Sequence, residues 1–189
     1  AVSLQLPLPA WFREWVATLP QRLEYDAAAM TVALEACRRN LDGGTGGPFG
    51  AVVLDGKTRQ VLGVGVNLVV FGQASVLHAE IVALTLAQQR TGSYDLAAGG
   101  RDVTLYSTAE PCAMCLGAIP WSGVNRLVCG ARDEDVRAIG FDEGDKPAGW
   151  SDLYRRRGIT VTRDFLRAEA VGLLERYAAD GGIRYGPHD

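Results

Sequence analysis

Apolar residues recur at a spacing of three and four along several stretches of the chain, as they do on one face of a helix. The first such stretch carries Trp11, Phe12 and Trp15 just after a proline, which is typical of an amphipathic helix. The same period predicts helices over residues 9–19, 22–41, 78–90, 134–139 and 167–177, and Pro111 opens a further one. Glycine pairs at 43–44 and 181–182 end two of these helices.

Shorter apolar runs predict strands between the helices. The runs cover residues 51–54, 61–67, 103–107, 126–129 and 159–162. Asp55, Gly56 and Lys57 form a turn between the first two runs, so these two are predicted to pair as a hairpin. From residue 103 onward strands alternate with helices, which favours an α/β fold with parallel neighbouring strands.

Composition places the chain among ordinary globular proteins. Its 189 residues, 48% apolar and 22% charged, suit one domain over 1–189. No apolar run approaches the roughly 18 residues that would span a bilayer, and the first residues lack the basic region of a secretion signal. We therefore expect a soluble, cytoplasmic protein without a membrane partner.

Charge argues for a small substrate over a nucleic acid. The formal net charge is −3, whereas proteins that grip a nucleic-acid backbone usually present a basic face. The dense basic run, residues 155–157, is interpreted as the solvated end of a helix.

Two short motifs carry the candidate chemistry. His78, Ala79 and Glu80 fit the H-x-E half, and residues 111–115 fit the P-C-x-x-C half, of the signature of zinc deaminases that act on nucleobases. Cys112 and Cys115 lie three apart at a predicted helix start, so both sulfurs fall on one face. Both halves match, which makes a chance coincidence improbable and predicts a Zn²⁺ site.

The supply of further ligands indicates a catalytic zinc site. A structural site is normally closed by four protein ligands, and a catalytic one leaves a position for water. The other histidine, His188, lies at the end of the chain, while Cys37 and Cys129 fall in elements predicted to be buried. We therefore expect His78 and the cysteine pair plus water around zinc. A zinc-stabilised interaction module, with four protein ligands, is the non-enzymatic alternative.

Glu80 is then free to act as a general acid and base. It is expected to take a proton from water and deliver it to a ring nitrogen and to the leaving amine. The predicted reaction is hydrolytic deamination of an aminated heterocycle.

From about Pro48 to Asp142 these residues resemble the cytidine deaminase superfamily. The resemblance implies a three-layer α/β/α sandwich with a mixed, five-stranded central sheet. It also implies an oligomer, and we expect a homodimer. The helix within 1–19 has no counterpart in the shortest members of the superfamily, and its role is open.

Two branches of the superfamily compete. Residues 48–53, 67, 78–80 and 110–119 are shared by bacterial guanine deaminases and tRNA adenosine deaminases. Residues 139–143 and Trp121 resemble the guanine deaminase branch, whereas 129–133 resemble the tRNA branch. The final helix mixes acidic and basic residues instead of being basic, which favours guanine as the substrate. Amino-triazines are possible further substrates, and a tRNA adenosine deaminase or a cytosine or cytidine deaminase is the alternative.

The resemblance also implies roles for individual residues. Asn67 would hydrogen-bond the ring, Phe49 and Trp121 would line or stack on it, and Ala79 would also contact the substrate. Structural alternatives are a strand-end asparagine at Asn67 and core aromatics at Phe49 and Trp121.

Two further roles come from the resemblance. Glu143 would accept from purine N–H groups or shuttle protons, unless it is a solvated loop acid. In the tail, residues 181–189, Tyr185 and His188 are candidates for closing the pocket.

Overall fold

The computed structural model describes residues 5–187, in which one five-stranded sheet lies between two layers of helices. The strands of the sheet are β1 Gly50–Asp55, β2 Val61–Val66, β3 Val103–Ala109, β4 Arg126–Ala131 and β5 Thr160–Thr162. The helices are α1 Ala10–Thr18, α2 Asp26–Asp42, α3 Val69–Gly72, α4 Ala79–Thr91, α5 Ala113–Ala118, α6 Asp133–Ala138, α7 Trp150–Arg156 and α8 Arg167–Ala179.

The sheet is mixed, with strand order β2-β1-β3-β4-β5. β1 pairs antiparallel with β2, as the hairpin prediction requires, and antiparallel with β3. β3, β4 and β5 are parallel to one another, which the alternation of strands and helices predicted. The predicted three-layer fold class is confirmed.

Side chains alternate across the sheet because successive strand residues point to opposite faces. In β1, Val52 and Leu54 pack with α1 and α2, whereas Ala51 and Val53 pack with α4 and α7. Every residue of β2 and β3 is buried, as expected for strands covered on both faces. Cys37 and Cys129 are fully buried, as predicted.

Two element predictions were wrong in their bounds. The second helix begins at Asp26 because Arg22 instead forms an antiparallel bridge with Gln60 beside the hairpin. α5 begins at Ala113, after Cys112 as its N-cap, so Pro111 lies outside the helix.

Helix α7 was not predicted; it lies between the predicted helix at 134–139 and the predicted strand at 159–162. Trp150 and Tyr154 lie four residues apart and both are buried against the sheet, so they supply the apolar face of this short helix. The basic run at its end is exposed, as predicted.

No helix within residues 5–187 is long and apolar enough to cross a bilayer.

A half-buried ion-pair network holds α2 against the sheet. Arg126 donates to both carboxylate oxygens of Asp26, at 3.1 and 2.5 Å, and Tyr106 donates its hydroxyl at 2.6 Å. The hydrogen bond from Arg126 is the main cause that lowers the pKa of Asp26 to about 2, against the opposing effect of burial.

We expect Asp26→Asn to destabilise the fold by about 1–2 kcal/mol at pH 7, because Arg126 loses its charged partner. The folded pKa is depressed, so this contribution is present above the unfolded pKa of 3.8 and is lost as pH falls towards 2. Urea unfolding of both proteins at several pH values measures the difference. A gap of the same size at the lowest pH would contradict the assigned pKa.

Candidate active site

Two helix starts meet near the carboxyl end of β3. His78 is the N-cap of α4 and Cys112 is the N-cap of α5, with Cys115 in the first turn of α5. Helix N-termini carry partial positive charge and free N–H groups, which favour thiolate over thiol. The chain therefore places its two motifs side by side although about thirty residues separate them in sequence.

The geometry of the three predicted ligands fits zinc. His78 Nδ1 lies 3.4 Å from Cys112 Sγ, and these two atoms and Cys115 Sγ all lie within 4.8 Å of one another. Tetrahedral zinc, with bonds of about 2.0 Å to nitrogen and 2.3 Å to sulfur, sets such ligand atoms roughly 3.6 Å apart. Within residues 5–187 no fourth ligand joins this group, which matches an open, catalytic site.

The protonation of the group also suits a metal. The hydrogen bond from Cys115 lowers the pKa of Cys112 to about 4, with a further contribution from His78. The same hydrogen bond raises the pKa of Cys115, which is fully buried. Burial lowers the pKa of His78, but the neighbouring Cys112 outweighs it and the net shift is upward. The lowered pKa favours a thiolate at Cys112, and zinc binding would release the remaining protons.

Glu80 is buried beside the ligands without being one of them. Its side chain is 6% exposed, and burial followed by the charge of Cys112 raises its pKa. Ser107 of β3 donates a hydrogen bond of 3.4 Å to its Oε1. A buried carboxyl group held this way, with a raised pKa and outside the ligand set, suits the role of a general base and acid.

Glu143 lies across the cavity on the loop after α6. It is 6% exposed, and burial raises its pKa to about 8. Its backbone carbonyl accepts a hydrogen bond of 2.9 Å from Ala113, next to the ligand Cys112. Arg137 donates to Gly144 at 2.8 Å, which fastens the loop to α6. The alternative of a solvated loop acid does not fit its burial.

These side chains face a cavity of about 730 Å³. Predicted residues that line it are Phe49, Asn67, His78, Glu80, Cys112, Glu143 and Tyr185. Cys115 is buried behind the wall. Asn67 is fully buried, and its Nδ2 has no hydrogen-bond partner among residues 5–187.

The structure does not bring Ala79 or Trp121 to the cavity wall within one chain. The Ala79 side chain is fully buried in the core between α4 and the sheet. Trp121 is 88% exposed and lies on a separate concave surface with Pro120 and Leu153. The chain turns through a short 3₁₀ helix, Ile119–Ser122, which buries Ile119 and directs Trp121 outward.

The C-terminal segment covers the cavity. The centre of the Tyr185 ring lies 6.3 Å from the centre of the His78 ring and 5.1 Å from that of Phe141. The ring centres of Phe141 and Phe49 are 5.3 Å apart. The Tyr185 hydroxyl is buried and has no hydrogen-bond partner in the part of the chain that the structure describes. His188, the other tail candidate, lies outside the described residues.

Phe141 and Ser107 are two residues of the site for which no role was predicted from the sequence. Phe141 is the centre of the aromatic wall, but its sequence segment was used only to distinguish the two branches. Ser107 holds Glu80, and it was predicted only as part of a strand. Its position near the carboxyl end of a parallel strand, where sites of open α/β sheets lie, is the signal that could have found it.

A His-Cys-Cys group beside a buried carboxylate that is not one of its ligands, on this sheet, defines a zinc-dependent deaminase. The model of the cytidine and deoxycytidylate deaminase zinc-binding region matches residues 23–131, so the chain belongs to that family. The family and the geometry together establish a zinc-dependent aminohydrolase.

Relatives come from both predicted branches. Guanine deaminase of Bacillus subtilis is 36% identical over 126 residues, 64% of this chain and 74% of that protein. tRNA-specific adenosine deaminase of Haemophilus influenzae is 40% identical over 119 residues, 63% of this chain and 65% of that protein. A solved structure of guanine deaminase from Nitrosomonas europaea is 43% identical with a TM-score of 0.89, covering 94% of this chain and 97% of that one.

Proposed function

We propose that this chain converts guanine and water to xanthine and ammonia. The observation that carries the proposal is the cavity beside the zinc ligands, which has aromatic walls, two buried carboxyl groups and a cover formed by the C-terminal segment. A free base fits a covered cavity of this size, and pockets for small molecules are of this kind. Solved structures similar to this chain hold 8-azaguanine or 2,6-diaminopurine, at 43% and 44% identity.

The lining residues suit a purine. Phe49 and Phe141 offer apolar ring surface, and the free Asn67 Nδ2 can donate to a ring acceptor. The carbonyl oxygen of the Glu143 carboxyl group can accept a hydrogen bond from an N–H group that guanine presents at its ring edge. Because a buried donor without a partner costs free energy, a base that satisfies Asn67 is favoured over one that does not.

His78, Cys112 and Cys115 would hold the zinc ion, which supplies a Lewis acid that lowers the pKa of bound water to about 7. Glu80 would accept one proton of the attacking water and pass it to a ring nitrogen, and would carry the second proton of that water to the departing amine, so that xanthine and ammonia are formed. Ser107 keeps the Glu80 carboxylate in position through its hydrogen bond. Tyr185 and the tail exclude bulk water from the reacting base.

Several observations support a free base over a tRNA substrate. Arg167 and Arg176 of α8 are engaged in ion pairs with Asp135 and Asp42, so this helix is not a free basic surface. The tail also covers the cavity that a nucleotide in a stem-loop would have to enter. The homodimer and the cytoplasmic location stay predictions.

An ammonia-release assay over guanine, adenine, cytosine, cytidine and an amino-triazine tests the proposal. We expect zinc-loaded protein to release ammonia from guanine and to be at least about 100-fold less active on adenine and cytosine, whose polar edges leave buried groups unpaired. Release from another base and not from guanine would reassign the substrate. Salt-sensitive binding and deamination of tRNA would support the RNA-editing alternative instead.

A further inference from the structure

A chain of hydrogen bonds connects helix α1 to the cavity residue Asn67. The Trp11 indole donates to the Thr45 hydroxyl at 3.1 Å, and this hydroxyl donates to Asn40 Oδ1 at 2.7 Å. Asn40 Nδ2 then donates to the backbone carbonyl of Asn67 at 2.8 Å and to that of Gly47 at 3.2 Å. Both ends of the Asn40 amide are thereby satisfied.

Asn40 is the central member of this chain. It lies in α2, is fully buried and does not line the cavity. A polar group buried this deeply lowers the stability of the fold unless its hydrogen bonds are made. The loop beside Asn40 packs closely against the backbone of Asn67, so a Cβ at Gly46 would overlap the Asn67 carbonyl. A larger residue at Gly46 would therefore displace the strand end that carries Asn67.

The same loop, residues 45–48, sets the positions of two more cavity residues. The backbone N–H of Phe49 donates to the Gly47 carbonyl at 2.9 Å. The Phe49 carbonyl accepts a hydrogen bond from the backbone N–H of Asn67 at 3.2 Å. A Cβ at Gly47 would overlap the Tyr185 hydroxyl, so the loop also supports the tail. The Asn67 side chain accepts from Val69 through its Oδ1, which turns its Nδ2 away from the backbone.

We propose that Asn40 and Thr45 are positioning residues for substrate binding, and that Trp11 joins helix α1 to them. This inference rests on the proposed function, because it assigns the positioned Asn67 amide to the bound base. Asn40 fixes the Asn67 backbone, and Thr45 fixes the orientation of the Asn40 amide. Helix α1 thus acts as the outer support of the substrate pocket.

The expected kinetic effect is on KM. A hydrogen bond from Asn67 to the ring forms when the base binds and persists in the transition state. Weakening it destabilises the bound ground state and the transition state equally, which raises KM and leaves kcat unchanged. Loss of Glu80 would instead act on kcat. A general loss of stability would lower the active fraction, and hence the apparent kcat, without raising KM.

Thr45→Val removes the hydroxyl and keeps the shape of the side chain. We expect it to raise the KM for guanine about fivefold and to leave kcat within about twofold, from the loss of one or two hydrogen bonds. Thr45→Ser restores the hydroxyl and should restore the KM. Thr91→Val is the matched control, because it removes a hydroxyl that bonds Ala87 at the far end of α4, and it should leave both constants unchanged.

Amide hydrogen exchange separates this inference from the proposed function. In Thr45→Val we expect faster exchange at residues 47–49 and 67–69, whichever base the enzyme uses, and unchanged exchange in Thr91→Val and Thr45→Ser. Wild-type turnover of guanine with an unchanged KM and unchanged exchange in Thr45→Val would overturn the positioning role alone. If the wild-type protein does not turn over guanine but Thr45→Val shows faster exchange, guanine is not the substrate. The role of Thr45 in positioning Asn67 would still stand.

Discussion

Replacing Glu80 by glutamine is expected to lower kcat for guanine by about 10³- to 10⁴-fold while one zinc ion stays bound per chain. Glutamine keeps the shape of the buried side chain and can still pair with Ser107, but it cannot carry a proton between water and the leaving amine. Because Glu80 is outside the ligand group of the described residues, zinc affinity should be nearly unchanged.

Metal content and steady-state kinetics measure the two parts of this expectation. Glu35→Gln is a matched control on α2, where the carboxylate pairs with Arg38 and Arg39 and does not line the cavity, and it should keep kcat within about twofold. A Glu80→Gln protein that keeps its zinc and more than about a tenth of the wild-type kcat would remove Glu80 from the proton transfer.

Replacing Cys115 by alanine is expected to abolish activity by removing the metal. Cys115 is one of three protein ligands and is fully buried, so no water readily takes its place. Losing a partner of a ligand costs about 10–100-fold in metal affinity, and losing a ligand itself should cost more than about 100-fold. Cys115→Ala therefore differs from Thr45→Val: it should show no measurable turnover, whereas Thr45→Val should turn over guanine with a raised KM.

Cys129→Ala provides the comparison for this variant. Cys129 is as buried as Cys115 but lies in β4 outside the ligand group, so its loss opens a cavity and costs stability without removing zinc. Equilibrium dialysis against zinc reports the affinity of each variant. Unchanged zinc binding in Cys115→Ala, or equal loss in both variants, would contradict the assigned ligands.

Local patterns predicted the layers of the fold well. The apolar runs of the strands, the glycine ends of helices and the strand-helix alternation after residue 103 are set by neighbouring residues, and the structure follows them. α7 was missed because Trp150 and Tyr154 make one short apolar contact with the sheet, and seven residues are too few for a periodic signal. Arg22 was drawn into a bridge by the hairpin, which only tertiary pairing reveals.

The site residues also fall into two groups, those that a local pattern predicts and those that depend on tertiary contacts. The three ligands and Glu80 were identified from spacing, because the chemistry needs those residue types at helix starts. Ser107 and Asn40 act through contacts across 27 residues of sequence, to Glu80 and Asn67 respectively, so no local pattern marks them. Trp121 was expected at the substrate, yet a 3₁₀ turn directs it outward.

The most direct test of the account is the reaction of guanine with zinc-loaded protein in water enriched in heavy oxygen, followed by mass spectrometry of the purine product. Hydrolytic deamination predicts xanthine that carries one oxygen from the solvent, formed together with one ammonia per guanine consumed. Guanine left intact by fully zinc-loaded protein, or a product without solvent oxygen, would contradict the proposed reaction.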